Sequence, residues 1–284
     1  MRACDIGRVK GWIQYALFAA TILFTLTPVM CAQEQHAYLG MDRNEYPGDA
    51  VMKTLRSTFE FTGYWLNNPP GANSNSWTGK RAILKAKGFG FMILYNGRLD
   101  AELRGKDAAS LGRADAAAAI SAAQREGFAP GAILFLDQEE GGRLLAEQSD
   151  YLFAWVDAIR SSRYRPGVYC SGILVSDPSG QISTARDILS REGSRRLPLW
   201  VANEQCPPSP GCSLPKKSMG TAASGIPQAV IWQYVKSPRT QFAQQCPANY
   251  AADNKCYAPG MPQSAQTFLD LNVSASVDPS HGRR

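Results

Sequence analysis

Apolar residues fall into short, bounded runs along this chain, and longer amphipathic stretches separate them. Ala132 to Leu136 is unbroken and ends abruptly in Asp137, Gln138, Glu139 and Glu140, after which Gly141 and Gly142 release the chain. Runs of this length fit strands buried on both faces, as in a parallel sheet. Further strand-like runs lie at 36–42, 59–66, 90–95, 166–170, 197–202, 229–234 and 267–271. Helical spacing or composition marks a short helix starting near Met52 and longer ones over 77–87, 108–126, 148–162 and 182–192. The Ala-rich 108–126 segment stops before Gly127, and 182–192 stops at Gly193. Residues 67–76 read as a loop, 96–106 as a polar loop, and the stretches after 202 and 234 as long loops. Eight strands alternating with helices predict an α/β fold, an irregular (β/α)8 TIM-type barrel with some helices short or missing.

Alternation along the fourth strand puts Asp137 and Glu139 on one face, with Gln138 on the other. Positions two apart are separated by roughly 6.5–7 Å along a strand, a spacing suited to an acid and base pair about one sugar linkage. Asp42 ends the first strand and Asp270 closes the last. In a barrel those strands are neighbours, so all four acids are expected at one mouth, at the carboxyl ends of the strands. Tyr95, Trp200, Asn203, Gln233 and Tyr234 also fall at or near strand ends. Aromatic rings that pack on sugar C–H faces, with amides and carboxylates for hydroxyls, make a carbohydrate cleft.

Composition narrows the chemistry. The only histidines are His36 and His281, near the two ends of the expected mature chain. A Ser-His-Asp triad or a histidine-ligated zinc would have to borrow one of them, so the expectation is carboxylate chemistry with no metal and no cofactor. Residues 1–32 read as a signal peptide: Arg2, Arg8 and Lys10 precede a mostly apolar run to Met30, with Cys31-Ala32 as small residues for cleavage. An uncleaved membrane anchor is the alternative, since the run is long enough to span. Losing Arg2, Arg8 and Lys10 together with Asp5 lowers the net charge from +6 to +4. That mild basicity suits anionic cell-wall polymers, and no Lys/Arg cluster interleaved with aromatics points to nucleic acid. The expected location is secreted or periplasmic, with no membrane contact after cleavage. Cys206, Cys212, Cys246 and Cys256 crowd into polar loops. Of three possible pairings the local one, Cys206–Cys212 with Cys246–Cys256, is preferred, leaving Cys170 as a small buried hydrophobe. Residues 36–272 are expected to form the barrel domain and 273–284 a disordered polar tail.

Five segments in order carry a family resemblance. GMDRNEYPG at 40–48 resembles the opening GxDxSxxxG segment of glycoside hydrolase family 25, the Chalaropsis-type lysozymes. LFLDQE at 134–139 is similar to that family's DxE strand, and LPLWVA at 197–202 to its LWxA strand. VIWQY at 230–234 looks like its WQY strand, and LDLN at 269–272 like its closing DxN strand. MDRNEYPG followed by LRSTFEFTGYWL is closer still to secreted bacterial domains called glycoside-hydrolase-like, whose activity is largely unassigned. The resemblance implies that Glu139 is the general acid, that Asp137 supports the reacting centre, and that Asp42 and Asp270 position sugar or stabilise positive charge at C1. It also implies a polysaccharide partner of the peptidoglycan kind. Arg43 and Asn44 alter the first motif, and Asn203-Glu204 stand where the lysozymes place an aromatic. The function expected is a secreted glycoside hydrolase, with a catalytically silent, glycan-binding barrel as the alternative.

Overall fold

In the computed structural model, which describes residues 37–204, 220–236 and 269–284, the apolar runs form a ring of hydrogen-bonded strands. β1 (Tyr38–Asp42), β2 (Phe61–Trp65), β3 (Gly90–Asn96), β4 (Ile133–Gln138) and β5 (Arg165–Ser171) pair in sequence order and run parallel. β6 (Val175–Asp177) and β7 (Gly180–Ile182) leave the ring as a separate antiparallel hairpin. β8 (Leu199–Ala202) and β9 (Ala229–Val235) extend the parallel array, and β10 (Asp270–Ser274) closes the barrel between β9 and β1.

β10 is antiparallel to both neighbours, whereas an all-parallel closure was expected. β9 ends at the mouth, and β10 starts there, with Asp270 opposite Asp42 in register. A strand entered at the mouth needs no crossover to the far end, and crossovers are what parallel pairing requires. Asp270 therefore begins its strand instead of ending it, and reaches the expected rim by the opposite chain direction.

The barrel interior is packed with side chains, as small barrels require. Phe135 and Trp200 meet edge to face across it at 6.0 Å, and Trp200 meets Tyr169 at 5.1 Å. Rings of this size fit because facing positions are glycine. A Cβ on Gly40 would lie 1.9 Å from the Phe61 ring, and one on Gly167 would lie 2.7 Å from Phe135. Outside the ring lie six α-helices among the described residues. They are α1 (Asp49–Leu55), α2 (Arg81–Ala86), α3 (Asp100–Leu103), α4 (Ala108–Arg125), α5 (Ala146–Arg160) and α6 (Thr184–Arg191). α4, which its Ala-rich composition marked, buries alanines 116, 119, 122 and 123, and α5 buries Leu152, Trp155, Val156 and Ile159, which recur at helical spacing. α3 lies inside the stretch expected to be a loop, and the β6–β7 hairpin was not anticipated at all.

The tail is the second correction. Beyond β10 the polar residues pack against the barrel floor instead of remaining disordered. Asp278 Oδ1 accepts from the Phe91 N–H at 2.9 Å, and Ser280 Oγ accepts from the Ile93 N–H at 2.9 Å. The Ser280 carbonyl accepts from the Ile133 N–H at 2.9 Å. The N–H groups of Phe91 and Ile93 in β3 and of Ile133 at the start of β4 need acceptors, and a polar segment can supply them where an apolar side chain cannot. The tail belongs to the same compact unit as the barrel, Gln35–Arg284. Cys170 is fully buried with a free thiol. The signal segment, His36 and the four loop cysteines lie outside the described residues, as does the start of the expected last strand.

Candidate active site

Asp42, the last residue of β1, points into the mouth and is almost fully buried. Its Oδ1 accepts from Asn272 Nδ2 at 2.6 Å and from Gln233 Nε2 at 3.1 Å. Each amide is turned by a second partner. Asn272 Oδ1 accepts from the Trp200 indole at 2.8 Å, and Gln233 Oε1 accepts from the Tyr169 hydroxyl at 2.9 Å. Burial raises the Asp42 pKa from its ordinary value to about 6, while the two amide bonds and the Lys236 charge oppose that rise.

Asp137 stands on the inner face of β4, 3% exposed. Neither of its carboxyl oxygens has a partner at ordinary hydrogen-bonding distance. Its pKa is raised well above the usual carboxylate range, first by burial and then by the neighbouring charges of Glu139 and Asp42. Asp137 is accordingly the acid of the group that burial most strongly favours in its protonated form. Glu139, one residue beyond the end of β4, is exposed to solvent and close enough to act on both Asp42 and Asp137. Asp270 is half-buried at the first position of β10. Tyr169, on β5, faces the whole group. Burial comes first in raising its phenol pKa, followed by the charges of Glu139, Asp137, Asp42 and Asp270. The four acids that the strand pattern singled out thus converge on one phenol.

The aromatic and amide positions divide. Gln233 touches Asp42, and Trp200 lies beneath the acids, wholly buried, acting through Asn272. Tyr95 is not brought to the mouth: it faces outward, near Asp115 of α4 and Arg98. Tyr234 also lies on the outer face, its ring 5.7 Å from Trp232, because alternation along β9 turns it away from Gln233. Asn203 fastens a loop: its Nδ2 donates to the Ser224 carbonyl at 2.7 Å and its own carbonyl accepts from the Trp232 indole at 2.9 Å. Sequence reasoning named residues at strand ends without asking which face each occupied.

Three residues it passed over belong to the site. Asn272 sits two positions from Asp270 and Tyr169 two from Gly167, so the same alternation could have found both. Lys236, just past β9, lowers the pKa of Asp42 and Asp137 by its charge, and nothing in its sequence context marks it. Glu140 points away, as alternation requires. Its Oε2 accepts from the Asp100 N–H at 2.7 Å and from Gln148 Nε2 at 2.6 Å, tying α3 to α5 beneath the loop that carries Glu139. His281 lies at the floor, where its N–H donates to the Asp278 carbonyl. Among the described residues no group of three His, Cys, Asp or Glu side chains could hold a metal ion, and no helix is long and apolar enough to cross a membrane.

Comparison with known proteins adds a lineage to this geometry. The family described as the Rv2525c-like, glycoside hydrolase-like domain matches residues 61–205, which contain Asp137, Glu139, Tyr169 and Trp200. No curated protein matches the chain. Among solved structures, an uncharacterized B. stearothermophilus protein is 19% identical with a TM-score of 0.51, over 84% of this chain and 95% of that one. The Clostridium perfringens spore cortex lytic enzyme SleM is 15% identical with a TM-score of 0.51, over 84% of this chain and 68% of that one. A family 25 glycosyl hydrolase from Bacillus anthracis is 11% identical with a TM-score of 0.46, over 86% of this chain and 91% of that one. The first two likenesses establish a shared fold.

Proposed function

The chain belongs to the Rv2525c-like, glycoside hydrolase-like domain family, and on that premise we propose that it is an exported glycoside hydrolase. Its substrate in this reading is peptidoglycan or a related bacterial cell-wall polysaccharide, and its barrel is an irregular derivative of the (β/α)8 plan. The observation that carries the reading is the convergence of Asp42, Asp137, Glu139 and Asp270 on Tyr169 at the strand ends. Buried carboxyl groups without partners are costly, and a mouth that gathers them suits chemistry better than structure. A likeness in fold to a spore cortex lytic enzyme is consistent with such a substrate.

Roles follow from access and charge. Glu139, open to solvent, is the group a glycosidic oxygen can reach, and it donates the proton to the leaving group. Asp42, held by two amide donors, supplies the negative charge that steadies an oxocarbenium-like C1. That task passes to it from Asp137, because the acid whose burial favours its proton offers the weaker charge support. Asp270, half-buried at the rim, presents its carboxylate to sugar hydroxyls, while Gln233 and Trp200, both buried, contribute from below through Asp42 and Asn272.

Incubating the chain from residue 33 onward with purified peptidoglycan should release new reducing ends. Glycan that binds without any cleavage would replace the hydrolase with a silent, glycan-binding barrel.

A further inference from the structure

We propose that Trp200 and Asn272 are positioning residues that hold Asp42 as the charged carboxylate, so that the proton kept among the buried acids resides on Asp137. An indole N–H can only donate, so the Asn272 side chain must turn its oxygen to Trp200, 2.8 Å away. Its NH2 group is then committed to Asp42 Oδ1 at 2.6 Å. This orientation is set from outside the acid group, whatever charge Asp42 carries. Gln233 adds a second donor to the same oxygen at 3.1 Å, with its own oxygen engaged by the Tyr169 hydroxyl. Donors aimed at a carboxylate favour its charged form. Across the mouth Asp137, equally enclosed, receives no N–H donor, its nearest polar neighbour being the Glu139 carboxyl. Two buried acids in one cavity are thereby made unequal by an asymmetric supply of N–H groups.

Other charged or titratable groups face Asp42 from every side of the mouth. They are Asp137 of β4 with Glu139 just beyond it, Tyr169 of β5, Lys236 after β9, and Asp270 of β10 opposite in register. Lys236 acts on Asp42 and Asp137 alike, so it cannot by itself choose between them. The amides can, because they touch only Asp42.

The catalytic consequence rests on the hydrolase reading, but the charge arrangement can be tested without substrate. Carboxyl carbon NMR titration of the chain from residue 33 should show Asp42 ionising at a lower pH than Asp137. In Asn272→Leu, similar in size but without the donor, the Asp42 midpoint should rise by about 1 pH unit or more. Gln233→Leu provides a second variant from a different strand, and its shift should have the same sign; Trp200→Phe, which frees Asn272 to turn over, should shift less. Native-like amide spectra identify the variants that remain folded. An unchanged Asp42 midpoint in a folded Asn272→Leu or Gln233→Leu protein would overturn the proposal, as would Asp137 ionising first in the wild type. If the titrations behave as expected and no glycan is cleaved, the hydrolase reading fails alone. If glycan is cleaved while the midpoints ignore both substitutions, the positioning proposal fails alone.

Discussion

Asp137 and Glu139 are two positions apart on one face, yet only Glu139 meets solvent. The proposed role of Glu139 as proton donor rests on that difference in access, and Glu139→Gln keeps the shape while removing the transferable proton. Turnover on peptidoglycan should fall by roughly 10²–10⁴-fold with binding retained; cleavage at the wild-type rate would dismiss the assignment. Asp42→Asn should cost more than Asp137→Asn, since in this reading Asp42 is the acid that carries the charge; an equal loss in kcat would count against that division. Stability carries a second signature of the buried acids. The Asp42 pKa is raised from 3.8 to about 6 in the fold, so it favours folding below the lower value. That contribution, on the order of 2–3 kcal/mol, is lost as pH rises through about 6. Denaturant midpoints measured from pH 4 to 7 should show a smaller decline in Asp42→Asn than in the wild type. Equal declines would show that Asp42 does not titrate in this way.

At the scale of elements, β4 and the loop after it were the most legible part of the chain. An apolar run closed by acids can hardly be anything but a strand end, and period-two alternation then sorts its side chains. The neighbouring α3 was not legible, since four residues are too few to show a period, and its first N–H is satisfied by Glu140 from another loop. Glu140 faces away from the acids. Its two accepted hydrogen bonds make it the brace of the loop that presents Glu139. Glu140→Leu should lower kcat by up to about 10²-fold with little change in KM, because misplacing a donor by an ångström is enough for that. Glu140→Gln, which still offers an acceptor oxygen, should recover most of the loss. A kcat for Glu140→Leu equal to the wild type would remove the brace from the mechanism.

For the molecule as a whole, the floor depends on residues 275–284. Truncation after Ser274 would strand the buried N–H groups of Phe91, Ile93 and Ile133, which now bond Asp278 and Ser280. With each such group costing about 1–3 kcal/mol, the truncated chain should lose at least about 3 kcal/mol in urea unfolding. An unchanged midpoint would return the tail to the surface decoration its composition suggested. Export makes a separate demand. Peptide mapping without reduction should find Cys206 joined to Cys212 and Cys246 to Cys256, and four free thiols would count against both the pairing and the signal segment.

What the sequence determined by itself was the eight strands of the ring, though not the β6–β7 hairpin, and the placing of Asp137 and Glu139 at the end of β4. Each of these follows from local periodicity or from which residue types are present. The direction of β10, the packing of the tail and the outward turn of Tyr95 and Tyr234 were decided by tertiary structure. The first two depend on which strand lies beside which, and no local pattern carries that information; the turn of Tyr234 follows alternation along β9 once Gln233 is known to face inward. The same holds for the surroundings of each acid: Asp42 and Asp137 are the same residue type at similar depth, and the amides of β9 and β10 that reach Asp42 are brought to it across the barrel.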